Sequence, residues 1–310
     1  MSQSVFVQKR FLVSFLGSYV ALVTPFHRKG GVDYKCLAEL VEWQIGEGTD
    51  GIVCCGSTGE GAVLTDSEKQ RIAETCIRTA AKRIPILVGT GTSDTRQSVR
   101  LTAKMAKLGA DGCLVVTPYY NKPPARGCLL HFKEIAQVGL PVVVYHNPGR
   151  TAVRFSAETV AELSQIPGIA AFKDSSHDLE LVRKIRSLCS LPIFSGDDDM
   201  TFDIMREGGA GVISVIGNLI PRSWKAMVQL CIEKKWETAL RLAQFYLPLC
   251  KALVLETNPQ CVKWAMEQFD RCRGVCRLPL VEPTDITKEA IRKELLRLSL
   301  PLFSSKEIAV

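Results

Sequence analysis

The sequence has no GxGxxG fingerprint after its first apolar run, no Gly-Lys-Ser/Thr triplet, no apolar stretch as long as a membrane span, and no long basic run interleaved with aromatics. The first absence argues against an open dinucleotide-binding sheet, and the second against a Walker-type nucleotide loop. The third leaves no span to place in a bilayer. The fourth means that the formal net charge of +7, spread along the chain, reads as a mildly basic surface and not as a nucleic-acid footprint. Histidine is scarce: His27, His131, His146 and His177 are the four, none at metal-ligand spacing. Cysteine is plentiful at 12, yet Cys272 and Cys276 have no second pair at zinc-ligand spacing, so no metal site is expected. Cys54, Cys55 and Cys113 lie in apolar runs where a free thiol behaves as a small hydrophobe, and reduced thiols in a chain of 310 residues point to a cytoplasmic enzyme.

What is present is a repeated alternation. Eight short apolar, β-branched runs recur: Tyr19–Val23, Gly51–Cys55, Ile84–Gly89, Gly112–Val116, Pro141–Tyr145, Gly168–Phe172, Leu191–Ser195 and Gly211–Val215. They lack polar alternation, as strands buried on both faces do. Helical periodicity fills the intervals, as in the segment from Thr65, where Glu68 stands three residues on as in a capping box. Units of about 20–35 residues predict the α/β class and a (β/α)₈ TIM barrel over residues 18–235. Residues 236–310 read as a C-terminal helical extension that packs on the barrel flank or on a neighbouring subunit, with Pro248, Pro259 and Pro283 as breaks or starts. The stretch Phe11–Phe26 resembles the start of a signal peptide, but Ser14, Gly17, Ser18 and Tyr19 interrupt it and no clear small-residue cleavage site follows. Residues 1–17 are therefore expected to form a weakly ordered extension.

A barrel of this kind carries its active site at the C-terminal ends of its strands. Lys173 closes the sixth run, where burial disfavours an ammonium and leaves a neutral amine able to attack a ketone; a structural lysine paired with Asp174 or one of Asp197–Asp199 is the alternative. The segment Gly56–Gly61 is a glycine-rich turn whose backbone amides, with the Ser57 and Thr58 hydroxyls, suit a carboxylate. Tyr145 ends the fifth run, and Tyr119 and Tyr120 the fourth, so phenols for proton relay or plain rim packing gather at one mouth. Arg150 offers a planar fork for a second carboxylate. Asp197, Asp198 and Asp199 read as helix-capping acids and not as a magnesium site.

Together these segments resemble the dihydrodipicolinate synthases of the pyruvate-dependent class I aldolase and N-acetylneuraminate lyase superfamily. VTPF, GSTGE, GTGT, VTPYYNKP, YHNPGRT, FKDSS, SGDDD, GVISV and NPQCVKWA fall in matching order between Tyr19 and Pro279. The resemblance implies that Lys173 forms the Schiff base, that Tyr145 and Ser57 relay protons, and that Tyr120 completes the relay across a tight dimer interface of a homotetramer. It implies that Thr58 and the backbone at Gly59 hold the pyruvate carboxylate, that Arg150 binds the second substrate, and that Gly196 and Ile213 approach substrate through their main chains. The implied reaction joins pyruvate, as an enamine on Lys173, to aspartate 4-semialdehyde in lysine and diaminopimelate biosynthesis, with no metal or organic cofactor, no nucleic acid and no membrane.

Two departures from the family pattern matter. Ser57 replaces the usual threonine and is also what N-acetylneuraminate lyases carry, whereas Arg150 in PGRT resembles the synthases. Around the inhibitor pocket of lysine-sensitive relatives, this chain has Ser93, Gln97 and Asp66 in place of asparagine, glutamate and histidine, and retains Tyr119. Weak or absent lysine inhibition is expected. The other enzymatic alternative is a related pyruvate aldolase or lyase acting on a sugar acid, and the non-enzymatic one a barrel that binds without turnover.

Overall fold

A computed structural model describes residues 15–300. The expected extension at residues 1–17 falls for the most part outside the described residues. Eight strands, β1 (Gly17–Ala21), β2 (Gly51–Cys54), β3 (Ile86–Gly89), β4 (Gly112–Val116), β5 (Val142–His146), β6 (Ile169–Asp174), β7 (Ile193–Ser195) and β8 (Gly211–Ser214), close into one barrel. Each pairs parallel to the next, and β8 returns to β1. Around them lie α1 (Tyr34–Gly46), α2 (Asp66–Ala80), α3 (Thr95–Leu108), α4 (Ala125–Ala136), the single turn α5 (Pro148–Thr151), α6 (Ala157–Ser164), α7 (Leu179–Leu188), α8 (Thr201–Arg206) and α9 (Pro221–Ile232). Three more helices follow: α10 (Trp236–Ala252), α11 (Gln260–Glu267) and α12 (Asp285–Arg297).

The two-residue period of a strand divides the core in two. One set, including Tyr19, Ala21, Val53, Leu87, Leu114, Val143, Ala171, Phe194 and Ile213, fills the barrel interior. The alternate residues, such as Val20, Ile52, Val88, Val144, Phe172 and Val212, pack outward among the helices. Burial of each such aliphatic side chain contributes about 1.5–3 kcal/mol, which explains why both faces of every strand are apolar in the sequence. α2 begins with the capping box expected of it: the Glu68 amide donates to Thr65 Oγ1 at 3.2 Å and the Thr65 amide to the Glu68 carboxylate at 2.9 Å.

Three local expectations need correction. β1 starts two residues earlier than its apolar run, because the amide of Ser18 is satisfied by the Asp50 carboxylate (2.9 Å) and that of Gly17 by the Ala210 carbonyl (2.9 Å). Polar side chains at the strand start are thus no obstacle to pairing. Pro248 does not break the C-terminal region; it lies inside α10, whose packing on α9 and α12 carries the helix past the missing N–H. The three aspartates cap no helix of their own: neither the 3₁₀ turn Asp198–Met200 nor α8 has a side-chain cap. Asp198 instead accepts from the amides of Val215 (2.9 Å) and Ile216 (2.7 Å), tying the end of β7 to the turn after β8.

Candidate active site

The interior period extends beyond the apolar core. Tyr145 follows Val143 by two residues on β5, and Lys173 follows Ala171 by two on β6, so both side chains enter the barrel at its C-terminal end. The register pairs Tyr145 with Lys173 directly. Both are almost wholly buried, and the Lys173 Nζ stands 4.0 Å from the centre of the Tyr145 ring. Gly196, after β7, makes room for this arrangement. A Cβ there would lie 2.0 Å from Ser175 Oγ, 2.8 Å from the Asp174 carbonyl and 3.0 Å from Lys173 Cε, so any side chain would crowd the end of β6 and press on the lysine.

Above these groups lies a cavity of about 530 Å³. Ala21, Val53 and Leu114 provide apolar lining, and Ser57, Thr58, Tyr145, Lys173 and Gly196 supply its chemistry. The loop after β2 turns sharply, with Cys55 (φ 56°) and Glu60 (φ 53°) both left-handed. Within it the amides of Ser57, Thr58 and Gly59 donate to no other group among the described residues, an arrangement chemically suited to an anion. Thr58 Oγ1 accepts from the Asn258 side chain at 2.9 Å.

Arg150 sits on α5. Asn147 caps that turn, its Oδ1 accepting from the Arg150 amide at 3.0 Å, while its Nδ2 donates to the Tyr145 hydroxyl at 2.9 Å. One side chain thus ties the arginine's helix to the phenol. Arg150 Nη2 reaches the Asn258 carbonyl at 3.3 Å on the exposed rim.

Burial by itself would push the Tyr145 phenol up. It nevertheless stands below its ordinary value, because the Lys173 charge and the Asn147 amide favour the phenolate, with a smaller contribution from Ser175. Asp197, also in the cavity wall, is pushed up by burial, partly offset by His177 and Lys173. Asp198 is raised to about 6, mainly by burial, against the two amides that it accepts from.

His146 plays no part in the cavity. Its ring is sandwiched between Phe155 and Phe172 on the outer face of the barrel. Nδ1 lies 2.8 Å from the Asp174 carboxylate and Nε2 accepts from the Phe155 amide at 3.0 Å, which fixes the proton on Nδ1. Lys173 makes no ion pair with Asp174 or with any of Asp197–Asp199, the partners that the alternative reading offered; Asp174 faces His146 and Ser176.

Of the residues singled out in the sequence, the cavity unites Ser57, Thr58, Tyr145, Arg150, Lys173 and Gly196. Gly59 lies just behind it, where a Cβ would come within 3.0 Å of Leu22 O, and Ile213 lies below it in the barrel interior, with Val215 in the wall instead. Tyr120 does not line it: with φ 75° and 92% of its surface exposed, it projects into solvent, and Tyr119 is also exposed. Sequence reasoning missed Asn147 and the stretch Val254–Asn258 in the wall, and Asp197, read from the sequence as a capping acid, lines the cavity as well. Asn147 had a signal in its place before Pro148, where an asparagine caps a helix.

Residues 14–297 match the model of the Dihydrodipicolinate synthetase family. The chain belongs to that family. A 4-hydroxy-tetrahydrodipicolinate synthase from Geotalea uraniireducens is 42% identical over 286 residues, covering 90% of this chain and 98% of the relative. The crystal structure of the dihydrodipicolinate synthase from Aquifex aeolicus superposes with a TM-score of 0.92 at 39% identity, over 94% of this chain and all of that one. The chloride-inhibited synthase from Acinetobacter baumannii, complexed with pyruvate, matches with a TM-score of 0.90 at 39% identity, over 92% of this chain and 99% of that one. Family membership makes the barrel an enzyme of the lyase-type synthases.

Proposed function

We propose that the chain is a 4-hydroxy-tetrahydrodipicolinate synthase, condensing pyruvate with L-aspartate 4-semialdehyde through an imine on Lys173. The observation that carries this reading is the buried Lys173 ammonium over the Tyr145 ring, inside a cavity with unpaired loop amides at one wall and Arg150 at its rim. The lowered phenol gives Lys173 a nearby acceptor for its proton, which frees the amine to attack the pyruvate ketone. Loss of water leaves the protonated imine, which draws electrons from C3; removal of a C3 proton gives the enamine. The enamine carbon bonds to the aldehyde carbon, whose oxygen takes up a proton. The amine of the second substrate then adds to the imine carbon, closes the ring and releases Lys173.

Thr58, Gly59 and the loop amides hold the pyruvate carboxylate, while Arg150 takes that of the aldehyde. Ser57 and Tyr145 relay protons in each chain, and Tyr120 joins them from a second subunit in a dimer, two dimers forming a tetramer. The full exposure of Tyr120 in one chain supports that placement. Gly196 and Ile213 contribute backbone. Twelve unpaired cysteines, with no helix among the described residues long and apolar enough to cross a membrane, support a cytoplasmic setting. Ser57 favours a sugar-acid lyase as a second reading, but Arg150 suits the carboxylate of aspartate semialdehyde.

Borohydride reduction in the presence of pyruvate tests the chemistry: peptide mass spectrometry is expected to find the reduced adduct on Lys173, and an unmodified Lys173 would refute the mechanism. Steady-state comparison of aspartate semialdehyde with N-acetylneuraminate then identifies the reaction.

A further inference from the structure

The wall that faces the carboxylate of pyruvate is anchored by an ion pair that the chemistry above does not use. Glu60 ends the loop Gly56–Glu60 and Lys263 lies on α11; their side chains are both fully buried and 2.6 Å apart. Among the described residues it is the only pair of a lysine or arginine with a carboxylate in which both side chains are completely buried. A buried pair of this kind adds little net stability over apolar side chains of the same shape, so its presence calls for a positional reason.

Its neighbours supply that reason. The remaining Glu60 oxygen accepts from the Arg277 amide at 2.8 Å, so both carboxylate oxygens are held by the C-terminal region. Lys263 Nζ also donates to the Thr24 carbonyl at 2.9 Å, and Thr24 Oγ1 donates to the Gly59 carbonyl at 2.7 Å. The lysine therefore grips the loop twice, directly at Glu60 and through Thr24 at Gly59. These are the two residues following Thr58, in a turn whose left-handed Glu60 backbone a side-chain residue adopts only when held there.

We infer that Glu60 and Lys263 are positioning residues that hold the Ser57–Gly59 amides in the geometry that binds the pyruvate carboxylate, so that the appended helices help to build the first-substrate site. The pair never touches substrate. It acts through the loop, and it does so by direction and length as well as by burial. This inference rests on the reading that the loop binds pyruvate.

The test uses the full chain and measures kcat and both KM values alongside Tm. In E60Q and K263M, pyruvate KM is expected to rise at least tenfold, with the aldehyde KM within about twofold of wild type. The decisive variant is the apolar double substitution E60L/K263M. It is expected to recover Tm toward wild type while pyruvate KM stays raised, a split that a merely structural pair would not produce. If the two single variants, each leaving one buried charge without its partner, fail to fold, Thr24→Val removes only the hydroxyl hold on Gly59 and is expected to raise pyruvate KM three- to tenfold. A wild-type pyruvate KM in the folded double variant, or in Thr24→Val, overturns the inference. Failure of borohydride trapping in the wild-type protein would instead overturn the reading on which it rests.

Discussion

Tyr145 is poised by what surrounds its oxygen. The Asn147 Nδ2 donates to that oxygen and stabilises the ionised form, so Asn147→Ala should raise the phenol relative to wild type. A rate that needs the phenolate climbs as pH rises through its titration, and in the variant that climb moves to higher pH. A pH profile of kcat/KM for pyruvate checks this; an unmoved acid limb would place the essential base elsewhere. Asp198 has the opposite disposition. Its carboxyl is raised from 3.8 to about 6 by burial, so the folded protein holds this proton more tightly than the unfolded chain does. The destabilisation is absent below the unfolded value, grows as pH climbs between the two, and is complete above about 6. Asp198→Asn removes it. The variant's stability relative to wild type should therefore improve by an amount on the order of 3 kcal/mol from pH 4 to 7 and level off there, as denaturant unfolding across that range will show.

At the scale of elements, the single turn α5 presents Arg150, and its cap by Asn147 fixes where the guanidinium starts. Arg150→Ala removes charge-assisted hydrogen bonds worth about 1.5–3 kcal/mol, so aldehyde KM should rise by about 10- to 100-fold while pyruvate KM changes little. The start of α2 carries another prediction. Asp66 is engaged by Arg100 (3.1 Å) and Lys104 (3.9 Å) of α3, which leaves its charge already partnered where lysine-sensitive relatives carry a histidine. Inhibition by L-lysine is expected to be weak, and a sub-millimolar inhibition constant in steady-state assays would contradict this. The elements themselves were legible in the sequence because strands buried on both faces leave uninterrupted apolar runs, and the lysine that lines the cavity was legible because it ends one. Asp198 was not, since its partners at Val215 and Ile216 lie 17 and 18 residues away, beyond the neighbouring strand β8. Nor was the stretch Val254–Asn258, which reaches the cavity only because α10 packs back on α9; nothing local marks such a segment as a wall.

For the whole molecule, the exposed Tyr120 makes the assembly part of the catalyst under the proposed arrangement. Mixing Lys173→Ala with Tyr120→Phe subunits gives hybrid dimers in which one site regains both its own lysine and its partner's tyrosine. Activity above the average of the two inactive parents is expected after refolding them together, and none would mean that each chain works alone. The closed barrel also governs which changes of chain length such a protein tolerates. Tyr145 stands opposite Lys173 only through the pairing of β5 with β6, and a slip of one residue would bring His146 to that place. A single residue added within either strand is therefore expected to abolish turnover, as steady-state assays of such an insertion variant will show.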